Sequence, residues 1–163
     1  MSLNLVVFVG FCLAVIQALS IPYRDISADS LRKIGESCLD EVHLDPTVVS
    51  QVLKTGILSQ EDKYKKFLVC SYKKQGYLSH DGKRFNYETL DGMLKFLHYT
   101  SEELKQLDHC ESIRASEPSE LVYENLKCIL EGLKKIDRMR EMRKIEEELE
   151  NNMIDTGDEV VVD

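Results

Sequence analysis

The cysteines restrict the fold of this 163-residue chain more than any other sequence feature. There are five: Cys12, Cys38, Cys70, Cys110 and Cys128. Cys12 lies in an apolar run at the start of the chain, and its removal with that run would leave an even number. An even number of cysteines in a small secreted chain is typical of a disulfide framework. Zinc sites need at least one close pair of ligands, and the nearest two cysteines here are eighteen positions apart. We therefore expect disulfide bridges rather than a metal site or a catalytic thiol.

The start of the chain predicts a secretory signal at residues 1–20. Residues 3–19 are almost wholly apolar, and small residues occupy the two positions that signal peptidase reads, Ala18 and Ser20. The run is shorter than the roughly 20 residues of a membrane-spanning helix, and no stop-transfer charge cluster follows it. We expect cleavage after Ser20 and a secreted, extracellular product without membrane insertion. A retained membrane anchor is the alternative.

The negative charge of the chain is concentrated at its C-terminal end. Of the formal net charge of −8, residues 137–163 carry −6 and residues 21–136 carry −2. An acidic chain without a basic stripe is unsuited to nucleic acid. No nucleophile-elbow, zinc-protease or phosphate-binding motif is present. We expect a non-enzymatic domain at residues 21–136, without a metal or other cofactor, followed by an acidic, partly helical or disordered tail at residues 137–163.

Hydrophobic periodicity predicts helices from residue 27 to residue 150, with no alternating strand pattern of useful length. Asp45 followed by Pro46 predicts a helix start, and Gly56 predicts the end of that helix. Residues 59–62 predict the start of the next helix, which ends at Gly76. The fold class is therefore all-α.

The second half of the chain predicts three more helices. The first carries an apolar stripe made of Leu90, Met93, Leu94 and Leu97. The second begins with a capping box at Thr100 and Glu103 and carries Leu104, Leu107 and Cys110. The third is a long last helix that begins near Pro118 and directs Val122, Leu126 and Ile129 inward.

The intervals between the cysteines carry a family resemblance. Between Cys38, Cys70, Cys110 and Cys128 lie 31, 39 and 17 residues. The chain resembles the insect odorant-binding proteins in three features. These are the cysteine intervals, the order of the helices and the sequence pattern Val122-Tyr123…Leu126…Cys128. The insect proteins form the pheromone/general odorant-binding (PBP/GOBP) family of secreted six-helix carriers, and the resemblance covers about residues 24–134.

That family has six cysteines, paired first to third, second to fifth and fourth to sixth. Its second and third cysteines are separated by three residues, and its fifth and sixth by eight. Counting back from Cys70 and Cys128 places the two missing cysteines at Lys66 and Ser119. Those two cysteines would have been bonded to each other. The resemblance therefore implies a four-cysteine ("minus-C") member with bridges Cys38–Cys70 and Cys110–Cys128.

The resemblance further implies a six-helix fold around an apolar cavity. The charged C-terminal helical extension that we expect after this fold departs from the usual length of the family. The implied function is a carrier for a small hydrophobic molecule such as an odorant, a pheromone or a lipid-like ligand. We expect two facing groups of side chains to line the cavity: Leu90, Met93, Leu94 and Leu97 on one helix, and Val122, Leu126 and Ile129 on the last. A chemosensory receptor and a second copy of the chain are further candidate partners. The alternative is a secreted interaction protein of glandular fluid or haemolymph that has a solid core and acts through its acidic tail.

Overall fold

A computed structural model describes residues 28–155, and this part of the protein contains six α-helices, one 3-10 helix and no strand. In chain order the elements are α1 (Ala28–Val42), α2 (Pro46–Thr55), α3 (Asp62–Gln75), α4 (Tyr87–Phe96), α5 (Ser101–Leu104), the 3-10 helix (Lys105–Ser112) and α6 (Pro118–Asp155). The predicted all-α, six-helix fold is confirmed. The predicted signal at residues 1–20 and the last eight residues of the predicted tail lie outside the described residues.

In the first half of the chain, the start of α2 and the ends of α2 and α3 lie where the sequence predicts. Asp45 caps α2, because its carboxylate accepts a hydrogen bond from the backbone N–H of Thr47 at 2.8 Å. Gly56 ends α2 in the left-handed conformation, with φ of 68°. Gly76 ends α3 in the same way, with φ of 86°. A side chain at either glycine would be strained, which is why glycine is favoured at these helix ends.

The start of α3 lies later than predicted. The helix begins at Asp62, and its N-cap is Glu61, whose side chain makes no capping hydrogen bond. The hydroxyl of Ser59 instead accepts a hydrogen bond from the backbone N–H of Glu61 at 3.3 Å. Serine hydroxyls that bond the backbone two residues ahead favour a turn. Residues 59–61 therefore form the connection between α2 and α3 and are not the first turn of α3.

The predicted helix after Thr100 is only partly an α-helix. Its capping box is present: the hydroxyl of Thr100 accepts from the backbone N–H of Glu103, and Glu103 accepts from the backbone N–H of Thr100. After the single turn of α5 the chain continues as a 3-10 helix. Leu104, Leu107 and Cys110 are spaced by three residues and are all buried. This spacing matches the three residues per turn of a 3-10 helix, so it places all three side chains on the same face.

Two hydrophobic cores share the last helix. The first core joins α1, α2 and α3 to α6 and contains Cys38, Leu44, Val52, Tyr64, Phe67, Leu68, Cys70, Leu78, Leu121, Val122, Tyr123, Leu126 and Leu130. The second core joins α4, α5 and the 3-10 helix to α6 and contains Tyr77, Leu90, Met93, Leu94, Leu104, Leu107, Cys110, Ile129, Leu133 and Ile136. Because α6 supplies side chains to both, it holds the two cores together.

Each core has one disulfide bridge. Cys38–Cys70 links α1 to α3, with its Cα atoms 5.7 Å apart. Cys110–Cys128 links the 3-10 helix to α6, with its Cα atoms 5.9 Å apart. Both distances are typical of disulfides. The pairing implied by the family resemblance is therefore confirmed.

Beyond the cores, α6 is fastened by a cluster of charged groups near the start of α5. The guanidinium of Arg140 donates to both carboxylate oxygens of Glu103, at 2.7 and 2.6 Å, and to the backbone carbonyl of His98 at 2.9 Å. It also lies 4.5 Å from the centre of the Tyr99 ring. Arg143 makes a longer ion pair with Glu103, at 3.2 Å. α6 thus crosses the predicted domain boundary at residue 136 without a break, and the division of the chain there stays a prediction.

Candidate functional site

A cleft of about 370 Å³ opens between α4 on one side and α5 with the 3-10 helix on the other. Its floor is apolar, and its mouth is ringed by polar and charged side chains. The lining residues are Tyr87, Glu88, Leu90, Asp91, Leu94, Ser101, Leu104, Lys105, Leu107, Asp108 and Glu111. We call this feature the α4 cleft.

The floor of the α4 cleft is built from four leucines on three elements. Leu90 and Leu94 are four residues apart on α4, so they lie on one face of that helix. Leu104 and Leu107 lie on the buried face at the junction of α5 and the 3-10 helix. All four are members of the second core. The floor is therefore a part of that core that opens to the surface.

Gly132 of α6 determines how closely the 3-10 helix can approach α6. A Cβ atom added at Gly132 would overlap the Cδ2 atom of Leu107. Because Gly132 has no side chain, Leu107 can lie directly against the α6 backbone. A larger residue at position 132 would push Leu107, which lines the cleft, out of its present place.

Tyr87 lines the α4 cleft, and its hydroxyl lies among polar groups of the 3-10 helix and α6. Its single hydroxyl proton can be donated to either of two acceptors, the backbone carbonyl of Cys110 at 2.7 Å or the side-chain oxygen of Asn125. Asn125 is buried, and its amide donates to the carbonyl of Leu121 at 2.8 Å. Burial raises the pKa of Tyr87 to about 12, with the nearby Glu111 adding to the shift. The hydroxyl is therefore neutral at ordinary pH, and its oxygen can accept a hydrogen bond from a bound molecule.

Negative groups predominate at the mouth of the cleft. Glu88, Asp91, Asp108 and Glu111 supply four carboxylates, against the single ammonium of Lys105. Two local ion pairs act on this imbalance in opposite directions: Lys95 binds Asp91 at 2.6 Å and reduces it, whereas Lys105 binds Glu102 at 2.6 Å and increases it. Since Glu102 does not line the cleft, its pairing with Lys105 offsets the one positive group there. The resulting field disfavours anions at the mouth.

The seven residues predicted to line a cavity are divided between the two cores. Leu90 and Leu94 line the α4 cleft. Met93 and Ile129 belong to the second core, and Leu97 packs against it. Val122 and Leu126 belong to the first core, away from the α4 cleft. The structure thus brings five of the seven together, and a ligand contact for any of them stays a prediction.

Sequence reasoning missed Leu104 and Leu107 as lining residues. It placed both on a helix, but did not identify them as residues that line a cleft. The three-residue spacing from Leu104 to Cys110 was the available signal, because it favours a 3-10 helix over an α-helix. Recognising the cleft itself required the packing of that helix against α4.

A histidine lies beside the bridge of the second core. The Nε2 atom of His109 is 3.2 Å from the sulfur of Cys128 and 3.7 Å from that of Cys110. These three residues form a group with the composition of a metal site. Metals bind the thiolate form of cysteine, whereas these two sulfurs are bonded to each other. In the bridged protein, His109 is therefore the neighbour of a structural disulfide.

Comparison with known proteins establishes the family. The sequence model of the PBP/GOBP family matches residues 22–132, which is more than half of the chain. The protein therefore belongs to the pheromone/general odorant-binding protein family, as the cysteine intervals predicted. Neither a curated protein nor a solved structure matches the chain.

The family assignment places the chain among small secreted proteins that bind and carry odorants or pheromones. None of the helices in residues 28–155 is long and apolar enough to cross a membrane. The family match ends at Gly132, so the remainder of α6 and the acidic tail lie beyond it. The four-cysteine subtype stays a prediction.

Proposed function

We propose that the protein is a secreted carrier that binds one small apolar molecule in the α4 cleft. The observation that carries this proposal is the floor of four leucines beneath an open mouth in a member of a ligand-carrying family. The cleft volume of about 370 Å³ falls at the small end of the range of roughly 300–1,000 Å³ that is usual for ligand sites. A compact ligand would therefore fill it.

Binding would be driven mainly by burial of apolar surface against the leucine floor. Each Å² removed from water contributes roughly 25 cal/mol, so the shape of the ligand matters more than any single polar contact. The Tyr87 oxygen can accept one hydrogen bond from a ligand alcohol or amine. The carboxylates at the mouth disfavour a ligand with a free carboxylate, such as a fatty acid. We therefore propose neutral or weakly basic apolar molecules as the ligand class.

The second disulfide supports this function by holding one wall of the cleft in place. Cys110 lies at the end of the wall that carries Leu104 and Leu107, and its bond to Cys128 fixes that wall on α6. A wall that is already ordered loses less conformational entropy when a ligand binds. The rival function, an interaction protein with a solid core, requires neither a cleft nor a ligand.

A titration with an apolar fluorescent probe such as a phenylnaphthylamine tests the proposal. The probe should brighten and saturate near one molecule per chain. Ser101 is exposed at the mouth of the cleft, so Ser101→Phe should block entry and weaken binding about tenfold or more, a change of about 1.4 kcal/mol. The matched control is Ser116→Phe, at an exposed serine in the loop before α6 that does not line the cleft.

Two negative results are possible, and they reject different parts of the proposal. Probe binding that Ser101→Phe leaves unchanged would place the ligand site elsewhere in the protein. No saturable binding of any apolar probe would reject the carrier function itself.

A further inference from the structure

The end of α6 carries an apolar stripe that the body of the protein does not cover. Met142, Ile145 and Leu149 have exposed fractions of 56%, 57% and 58%. Their spacings of three and four residues place them on one side of the helix. Residues 141–151 are exposed on every side of α6, so this part of the helix projects from the two cores. We call these three residues the tail stripe.

This projecting segment has weak internal support as a helix. Its pairs Arg143/Glu147 and Lys144/Glu148 have the base before the acid, which is the less favourable order at a spacing of four. Its glutamates also cluster toward the C-terminal end, where the helix dipole disfavours negative charge. Most helical stability in proteins comes from packing of an apolar face. The continuous helix to Asp155 is therefore best explained by a partner that packs on the tail stripe.

The charges beside the tail stripe indicate which partner fits. Residues 134–144 carry a net charge of +4, and residues 146–150 carry −4. Ile145 lies at the boundary between these two segments. A second copy of α6 laid antiparallel about Ile145 would place residues 146–150 of each copy beside residues 140–144 of the other, which carry a net charge of +2. A parallel arrangement would instead place like charges side by side.

We propose that the tail stripe is the interface of a homodimer in which two α6 helices pack antiparallel about Ile145. The antiparallel arrangement is two-fold symmetric, so one surface serves both copies and the assembly closes at two. The two bodies would lie at opposite ends of the paired helices, with both α4 clefts left open. An interface of this size is small, so the dimer should be weak and should dissociate on dilution. Charge pairing between exposed side chains should also make it weaker at high salt.

Sedimentation velocity on the purified protein tests this proposal through a pair of matched variants. Ile145→Asp places a charge at the centre of the stripe and should weaken association at least about tenfold, which corresponds to about 1.4 kcal/mol. Ile57→Asp makes the same change at another isoleucine with an exposed fraction of 73% and should leave association unchanged. A protein that is monomeric up to about 1 mM, a concentration equivalent to only about 4 kcal/mol of binding energy, would overturn the proposal. Equal weakening by the two variants would also overturn it.

Charge exchange tests the antiparallel arrangement and does not depend on the apolar stripe. One variant changes Arg143 and Lys144 to glutamate, which takes the net charge of residues 140–144 from +2 to −2. The other changes Glu146, Glu147, Glu148 and Glu150 to lysine. Each variant alone should be monomeric because its two segments then have the same sign, whereas a mixture of the two should form a heterodimer. Self-association of either variant at the wild-type strength would reject charge pairing and with it the proposed dimer.

Discussion

The two cores of this protein differ in how regularly they are built. The first core is formed by three ordinary amphipathic helices, α1, α2 and α3, packed on α6. The second is formed by a ten-residue helix, a single α-helical turn and a 3-10 helix packed on the same α6. Each has one disulfide, and they share one helix. Only the second contains the α4 cleft. The α4 cleft opens where α4 meets the single turn of α5 and the 3-10 helix, which together are less regular than any helix of the first core.

Removal of a disulfide bridge should have a large effect on the free energy of unfolding, and its effect on probe binding should distinguish the roles of the two cores. Replacing both cysteines of either bridge by serine should destabilise the protein by roughly 3–4 kcal/mol, because the unfolded chain gains loop entropy. Calorimetry should show similar losses for Cys38/Cys70 and Cys110/Cys128. Probe titration at a temperature where both variants are folded should show weaker binding only for the second. Equal loss of binding in both would mean that the cores act as one unit.

A new bridge should strengthen the first core. If Lys66 and Ser119 occupy the two vacant cysteine positions, their Cα atoms should lie within about 4.4–6.8 Å of each other. Their neighbours already meet, because the ammonium of Lys65 binds the carboxylate of Glu120 at 2.8 Å. The double substitution Lys66→Cys and Ser119→Cys should then stabilise the protein by up to about 4 kcal/mol. The readout is the melting temperature with and without reductant. Each single substitution should give a free thiol and no gain, and a double variant that does not oxidise would contradict the alignment.

Truncation of one leucine in each core gives the next largest effect. Leu94→Ala in the second core and Leu126→Ala in the first should each cost roughly 2–5 kcal/mol, because both side chains are buried and each would leave a cavity. Chemical denaturation measures that cost. Only Leu94→Ala should change probe affinity, because Leu94 lines the α4 cleft. A change in affinity for Leu126→Ala would support the sequence prediction that the first core also contacts the ligand.

Acid should loosen the attachment of α6 beside the second core. Hydrogen bonds from Arg140 lower the pKa of Glu103 to about 2, from an ordinary value of about 4.5. A lowered pKa in the folded state contributes stability that is complete above pH 4.5 and is lost as the pH falls toward 2. Because Arg140 is partly exposed, we expect roughly 2 kcal/mol after allowing for solvent screening.

This acid effect is measured as the free energy of unfolding at pH 5 and at pH 2.5. Glu103→Gln should lower stability at pH 5 and flatten this part of the pH profile. The control is Glu102→Gln, because Glu102 is highly exposed and pairs with Lys105, three residues along the chain. Identical pH profiles for wild type and Glu103→Gln would show that the ion pair contributes nothing measurable.

A pair of glycine substitutions should give the smallest effects, with opposite signs. Gly132→Ala would force the end of the flexible Leu107 side chain to move, so we expect a loss of about 1 kcal/mol and a narrower cleft with weaker probe binding. Gly92→Ala on α4 meets no atom within 4 Å, so it should stabilise the helix by roughly 0.5–1 kcal/mol. Thermal unfolding and probe titration measure both. Unchanged probe affinity in Gly132→Ala would show that the position of Leu107 does not control the cleft.

Local chemistry made much of the fold predictable. Asp45, Gly56 and Gly76 fix helix ends through hydrogen bonds and backbone conformations that depend on a few adjacent residues. The disulfide pairing came from the family resemblance, because spacing alone does not decide which cysteines pair. The salt bridge between Glu103 and Arg140 joins residues far apart in the chain, and nothing in the local sequence indicates it. The α4 cleft was unpredictable for the same reason.

The position of the shared helix has a consequence for the biosynthesis of the protein. α6 begins at Pro118, so the ribosome makes it after every other element of the two cores. N-terminal units of a protein usually fold first during synthesis, but neither core of this chain can close before α6 is available. Cys38 and Cys70 can already be oxidised at that stage, whereas Cys110 must wait for Cys128. We therefore expect the nascent chain to stay open until translation is nearly complete, and any premature stop before α6 to leave no folded product.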